Sequence, residues 1–343
     1  MRADRRGEGD EQGCGNSSGL WITPQSRDGR PVPPGLNSRM GEILSRAYLL
    51  ATGWNSAEIS RAVTRGELLR LATGAYARAG DYPPWALYRM RVLAAARSCS
   101  GVISHESAAA LHDIPVLQPA RKDVHFTVDR RHGGGRRPGI HVHPRPLAET
   151  EITLVDGARV TTRARTALDV AMSGDLVRAV AALDSVRLVR RFPTATDPVP
   201  VSIGELRATL DGLGRRRGSA VARRALHLSV DCSESAGESW SRMLMHAWRM
   251  PVPRLQTGYE FGGRTHYADF EWGALVGEFD GRGKYGESAD RRAATLEAEK
   301  ERHAAFTAHG IEIVRWGWQD LIDDTLLRRK LVAAFARHGL AAA

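Results

Sequence analysis

The stretch 267–286, YADFEWGALVGEFDGRGKYG, restricts the fold more than any other part of the chain. Two of its runs, ADFEW and LVGEFDG, alternate acidic and apolar residues with period two, the spacing of a pleated strand whose faces meet different surroundings. Phe270 and Trp272 face one side of the first run, and Asp269 and Glu271 face the other. In the second run Glu278 and Asp280 share a side, with Phe279 opposite. If the runs pair through a turn at Gly273-Ala274, Asp269 comes to lie near Glu278. Half-buried strands rarely carry so many carboxylates without partners, and adjacent carboxylates repel unless a cation lies between them. The pattern points to a divalent metal, and oxygen-only ligands favour Mg2+ or Mn2+ over Zn2+. The competing reading is a solvated hairpin face with Arg264 and Arg282 as counter-ions. Against it, both runs bury apolar residues on their other side.

The surroundings of this stretch read as one α/β unit over residues 229–343. SESAGESWSRMLMHAWRM is an amphipathic helix, with Trp240, Leu244 and Trp248 on one face and Glu238 in its first turn. QTGYEFGGRTHYADFEW gives two strands about Gly262-Gly263. A long charged helix ending at Gly310, the apolar strand IEIVRW and a final helix complete the unit.

Upstream, residues 1–39 are rich in Gly, Pro, Ser and charge with few aliphatics, and are expected to be a disordered tail. Residues 40–80 suit a winged helix-turn-helix. MGEILSRAYLLATG reads as a helix closed by Gly53, and NSAEISRAVTRG as a second helix capped by Asn55 or Ser56 and running to Gly66. ELLRLATGAYARAG alternates about a Thr73-Gly74 turn, as a β-wing would. Two short helices and a basic hairpin can place a helix in the major groove, so Arg61, Arg65, Arg70 and Arg78 are the candidate DNA contacts. The alternative is a helical subdomain with a solvated arginine face.

Residues 81–228 read as a mixed α/β middle domain. PWALYRMRVLAAARSC is helical, and GVISHESAAALHDIP is a short strand leading into a capped helix. DVHFTV and GIHVHPRPL are strands joined by a loop. RVTTRARTALDVAM runs from strand to a helix capped at Thr162 or Thr166. His105 and His112, seven residues apart on one helical face among small apolar neighbours, suit a core or capping role better than ligation. Arg215, Arg216 and Arg217 lie near the start of a basic helix, where they suit either a phosphate backbone or a solvated face, and the loop 192–200 breaks the region.

Composition narrows the partners. The formal net charge is +10, which favours polyanions by counterion release. Of the 49 basic residues 45 are Arg, so each of the four lysines, Lys122, Lys284, Lys300 and Lys330, stands out as a position where a compact ammonium is wanted. No apolar run reaches the roughly 18 residues of a membrane span, and the first residues lack the apolar core of a signal peptide, so a cytoplasmic protein is expected. Cys14, Cys99 and Cys232 are too scattered for a disulfide framework or a CxxC metal site.

Taken together, Glu238 on a helix, Asp269, and, after eight intervening residues, Glu278-Phe279-Asp280 resemble the PD-(D/E)XK nuclease core. They are closest to Vsr-like, restriction-endonuclease-like domains of unknown function. The resemblance implies that Asp269 and Glu278 ligate Mg2+ with the Phe279 carbonyl nearby, that Glu238 adds an acid from the helix, and that the substrate is DNA. The slot for the family's lysine holds Asp280. Lys284 past the turn, or Lys300 on the following helix, is placed to replace it, and Glu299 to serve a second metal. The front half, with GWNSAEISRAVTRGELLRLATGAYARAG, SHESAAALHDIP and RVTTRARTALDVA, resembles the AbiEi-like antitoxin of type IV toxin–antitoxin systems, which implies a winged-helix DNA-binding domain and an α/β middle domain. Two functions stay open: a Mg2+-dependent DNA phosphodiesterase, or a non-enzymatic antitoxin-like repressor carrying an inactive nuclease-like domain.

Overall fold

The computed structural model describes residues 41–130, 132–281 and 289–341, the side chains of 289–298 excepted. The 1–39 tail and Lys284 lie outside the described residues. The protein has an α/β fold with three sheets among the described residues, and none of its described helices is long and apolar enough to cross a membrane. It divides into two compact units. Among the described residues, one holds those up to Asp113 together with those of Ala120–Thr162; the other holds Ile114–Pro119 and those from Arg163 on. The division falls inside the 81–228 stretch, and the helices of 163–228 group with the C-terminal sheet.

The first unit opens with β1 (Leu44–Ser45), α1 (Arg46–Ala51), α2 (Ser56–Thr64), β2 (Leu68–Ala72) and β3 (Ala75–Arg78), the strands forming a sheet in the order β1-β3-β2. The second helix and the wing lie where the sequence places them. Asn55 caps α2 through a full capping box with Glu58, and the β2–β3 turn is at Thr73-Gly74. The first helix is shorter than expected. Ile43 and Leu44 turn inward against the wing, Leu44 pairing with Tyr76, and Ser45 caps a helix that starts only at Arg46. A core of Leu44, Leu49, Ile59, Ala62, Leu68 and Tyr76 holds these elements together.

The same unit continues with α3 (Pro84–Ala96), β4 (Val102–Ile103), α4 (His105–Leu111), β5 (Val124–Val128), β6 (Gly135–Arg137), β7 (Ile140–Pro144), β8 (Ile152–Val155) and β9 (Ala158–Thr161). The six strands form one sheet in the order β6-β7-β5-β4-β9-β8. The two strands joined by loop 129–139 are parallel, and the loop contributes β6, which folds back antiparallel on β7. Neither histidine of SHESAAALH occupies a regular helical position. His105 begins α4 with a left-handed φ of 52°, and His112 lies beyond Leu111 as the C-cap, its Nε2 on the Thr161 carbonyl oxygen at 2.7 Å. Ser104 does not cap the helix; its hydroxyl lies 2.9 Å from His105 Nδ1 instead.

The second unit is helical up to residue 247: α5 (Arg163–Ser173), α6 (Leu176–Arg187), α7 (Ile203–Leu213), α8 (Ser219–Leu228) and α9 (Ala236–Ala247). Thr166 is buried inside α5 and cannot cap it. Arg215, Arg216 and Arg217 lie just before α8, whose N-cap Gly218 takes φ 86°, and a Cβ at that position would overlap the Met172 backbone. The sheet then runs β10 (Arg254–Phe261), β11 (Arg264–Trp272), β12 (Leu275–Asp280) and, after α10 (Ala289–Ala308), β13 (Glu312–Gly317), followed by α11 (Trp318–Ile322) and α12 (Asp324–Arg337). β10, β11 and β12 are antiparallel, and β13 is parallel to β12, as a strand returning through a helix must be. Phe270, Trp272, Leu275, Phe279 and Trp316 build the core with Leu327, Leu331 and Phe335, and Trp240, Leu244 and Trp248 of α9 pack against it.

Candidate functional site

Site geometry follows from the β11–β12 register. Phe270 pairs with Gly277, Glu271 with Val276 and Trp272 with Leu275, so one further step sets Asp269 opposite Glu278. Antiparallel partners share a face, so both carboxylates emerge on the side away from the aromatic core. They line a cleft of about 250 Å³ with Tyr267, Asp280, Glu299, Arg302 and Arg315. Glu278 is buried on the central strand β12, every residue of which except Asp280 is buried.

Asp269 Oδ2 accepts the Phe279 backbone N–H at 2.8 Å, which ties the acid of β11 to the strand that carries Glu278. Glu238 reaches the same place from α9. Its carboxylate accepts the Ser235 hydroxyl at 2.7 Å and the Glu234 N–H at 2.9 Å, so the side chain is fixed by the helix cap that it helps to complete. Gln256 joins the two acids: its amide nitrogen donates to Glu238 Oε2 at 3.1 Å and to Asp269 Oδ1 at 3.2 Å. Gln256 has a left-handed φ of 52°, uncommon away from glycine and characteristic of sites where the surroundings over-determine the backbone. Arg191 donates to Gln256 Oε1 at 3.1 Å while its guanidinium stacks on the Tyr267 ring, 3.3 Å from the centroid. This contact fixes the amide so that its NH2 faces the acids.

Burial is the first cause of the acids' altered ionisation. The Glu238 carboxyl is pushed up to about 7 by desolvation and then by the negative Asp269 beside it. Asp269 is pushed up to about 6, again by burial first, with Glu278 adding to the rise and the Phe279 N–H opposing it. Glu238 and Asp269, largely buried side by side with no cation paired to either among the described residues, are under-neutralised, which is the condition a divalent cation relieves. Glu278 differs, because Arg302 Nη2 lies 2.5 Å from its Oε1 and Arg315 Nε donates to its Oε2 at 2.9 Å.

The sequence-predicted acids Glu238, Asp269 and Glu278 therefore come together, and Asp280 and Glu299 line the same cleft. Glu299 pairs with Arg315 at 3.2 Å. Glu271 is tied instead to Arg254 and the β11–β12 turn. Lys300 is exposed on α10 and does not line the cleft. Arg302 and Arg315 hold the cationic positions there, with Arg302 also donating to the Tyr267 carbonyl at 2.6 Å. In a chain with 45 arginines nothing in the sequence marks these two. Gln256 and Arg191 were equally unmarked, since both depend on long-range contacts. In the first unit Arg61, Arg65, Arg70 and Arg78 are all exposed. The register puts Arg70 and Arg78 on one face of the wing, and Arg65 pairs with Glu67 at 3.2 Å.

Fold and cleft together define an α/β protein with a clustered-carboxylate site. Over 207 residues, 58% of this chain and 68% of each relative, it is 30% identical to the uncharacterized proteins MT2308 and Rv2248 of Mycobacterium tuberculosis, from strains CDC 1551 / Oshkosh and ATCC 25618 / H37Rv respectively. The chain belongs to the family of these mycobacterial proteins. No family model matches it.

Proposed function

We infer that the protein is a Mg2+-dependent phosphodiesterase acting on DNA, with the winged-helix elements of its first unit contributing DNA affinity. The observation that carries this reading is the convergence of Asp269 and Glu278 at one cleft, with Glu238 joined to Asp269 through Gln256 and burial leaving Asp269 and Glu238 short of positive charge. Asp269 and Glu278 are the residues that would hold the ion, which can be Mg2+ or Mn2+. When bound, it supplies Lewis-acid neutralisation of charge on a phosphate group. Arg302 and Arg315 place two fixed cations at the mouth, suited to an anionic phosphodiester, and Gln256 holds Asp269 and Glu238 in a shared geometry. Arg61, Arg65, Arg70 and Arg78 supply exposed charge for backbone phosphates.

One observation favours a second reading. Both oxygens of Glu278 already face guanidinium groups, so without an ion this acid is neutralised by the protein itself. That arrangement suits an antitoxin-like DNA-binding regulator whose nuclease-like core is silent. DNA digestion separates the two. The first reading expects cleavage that requires Mg2+ or Mn2+ and is lost in Asp269→Ala and Glu278→Ala. The second expects no cleavage and salt-sensitive DNA binding that both variants retain and Arg61→Ala/Arg65→Ala weakens.

A further inference from the structure

Four histidines meet on one face of the six-stranded sheet, far in sequence from the acidic cleft. His125 on β5 and His141 and His143 on β7 are cross-strand neighbours, since His125 pairs with His141 and Thr127 with His143 in the parallel ladder. His105 comes in from the start of α4 and stacks on His143, their ring centroids 3.8 Å apart. His125 Nδ1 and His143 Nε2 are only 3.0 Å apart, and one nitrogen from each of His105, His125 and His143 lies within 4.8 Å of the other two. Two tetrahedral ligands with metal–nitrogen bonds of 2.0–2.1 Å sit about 3.3 Å apart, so the His125–His143 pair already has nearly the required separation. Even if all three separations were the full 4.8 Å, an ion at the centre would lie about 2.8 Å from each nitrogen, and less than 1 Å of inward movement would complete the bonds.

Three further features point to a ligand here. His105 is buried and holds a left-handed φ of 52°, a strained choice for the first residue of a helix. Its Nδ1 lies 2.9 Å from the Ser104 hydroxyl, the kind of outer contact that fixes the tautomer and ring orientation of a ligating imidazole. Thr127, fully buried and two residues along β5 from His125 on the same face, has a hydroxyl with no hydrogen-bond partner among the described residues. A water in the fourth coordination position would supply one.

We propose that His105, His125 and His143 form a transition-metal site, with Zn2+ as its natural occupant, that fastens α4 to β5 and β7. The all-imidazole donor set selects Zn2+, Ni2+, Co2+ or Cu2+ and disfavours Mg2+ and Ca2+, which separates this site chemically from the acidic cleft. The ion takes the place of the proton shared between His125 and His143. The stacked His105 ring closes the third side.

The test uses the full chain without a polyhistidine tag, stripped with chelator, reloaded with Zn2+ and passed through a desalting column. Bound metal is then measured by elemental analysis. The wild type should retain one Zn2+ per chain. His143→Asn and His125→Asn should retain none, with apparent affinity at least 100-fold weaker in chelator competition. His112→Asn and Asp269→Asn should retain the full equivalent. Should either histidine variant fail to fold, the wild type decides alone through Co2+ substitution: a three-histidine site gives the intense visible bands of tetrahedral Co2+ without thiolate charge-transfer absorption from Cys14, Cys99 or Cys232. Absence of retained Zn2+ in the wild type, equal retention in the histidine variants, or a thiolate or octahedral Co2+ spectrum would overturn the proposal.

Discussion

Glu238→Gln isolates the electrostatic cost built into the acidic cleft. In the folded protein the Glu238 carboxyl is pushed up from its ordinary 4.5 to about 7, burial being the larger cause and Asp269 the next. A group whose folded value is raised binds extra protons in the native state, so its contribution to stability is complete below about pH 4.5 and is lost as pH rises through about 7. At about 1.4 kcal/mol per pH unit, the gap sets a loss on the order of 3 kcal/mol between pH 4.5 and pH 8. Asp269, raised to about 6, adds a loss of the same sign from its ordinary 3.8 upward. The Glu238→Gln substitution removes the first contribution and keeps the contacts. The new amide oxygen can accept from Glu234 and Gln256, and the new NH2 can donate to the Ser235 hydroxyl, which then turns.

The assay is urea unfolding at pH 5 and pH 8, followed by tryptophan fluorescence. Five of the eight tryptophans, Trp240, Trp248, Trp272, Trp316 and Trp318, lie in the second unit, so the signal is weighted towards the region under test. The wild type should lose stability across this range. The variant should lose about 2–3 kcal/mol less and be at least as stable as the wild type at pH 8. A variant destabilised at pH 8, with the pH dependence unchanged, would refute the reasoning: Glu238 would then be an ionised, well-compensated helix cap.

Three other substitutions test separate parts of the account. A Cβ at Gly237 would overlap the Phe279 ring, so Gly237→Ala should displace the residue whose N–H holds Asp269, costing about 1–3 kcal/mol by chemical denaturation, and Gly237→Ala/Phe279→Ala should recover divalent-cation binding lost by the single change. Arg315→Ala takes one of two cations from Glu278; it should lower the thermal midpoint and strengthen Mn2+ binding in calorimetry, and weaker Mn2+ binding would mean that Arg315 orients the acid rather than competes for it. Asp184, buried in α6, accepts from Arg242, Ser239 and the Val230 N–H, so Arg242→Met should cost about 3 kcal/mol by leaving its charge uncompensated, measured as a fall in the urea midpoint.

Much of the fold could be read locally. The capping box at Asn55-Glu58, the Thr73-Gly74 wing turn and the period-two runs around Gly273 each fix structure through near neighbours, and the third also fixes which acids meet. The misses share a cause in tertiary contacts overriding local preference. Leu44 leaves the first helix to pair with Tyr76, and the helices after Arg163 join the C-terminal sheet rather than the strands that precede them. At the cleft, the acids were visible because carboxylates in apolar strands are costly. Gln256, Arg191, Arg302 and Arg315 break no local rule and were not visible. The histidine cluster was hidden in another way: His141 and His143 sit in an ordinary strand pattern, and only the parallel β5–β7 pairing, which no local signal specifies, brings His125 beside them.

The claim that Asp269 and Glu278 hold a divalent cation is tested most directly by calorimetric titration of Mn2+ into the full chain carrying His143→Asn, with and without Asp269→Ala/Glu278→Ala. Saturable binding that disappears with the two acids is the expected result. No saturable binding, or binding that survives their removal, would contradict the claim and leave the antitoxin-like DNA-binding reading in its place.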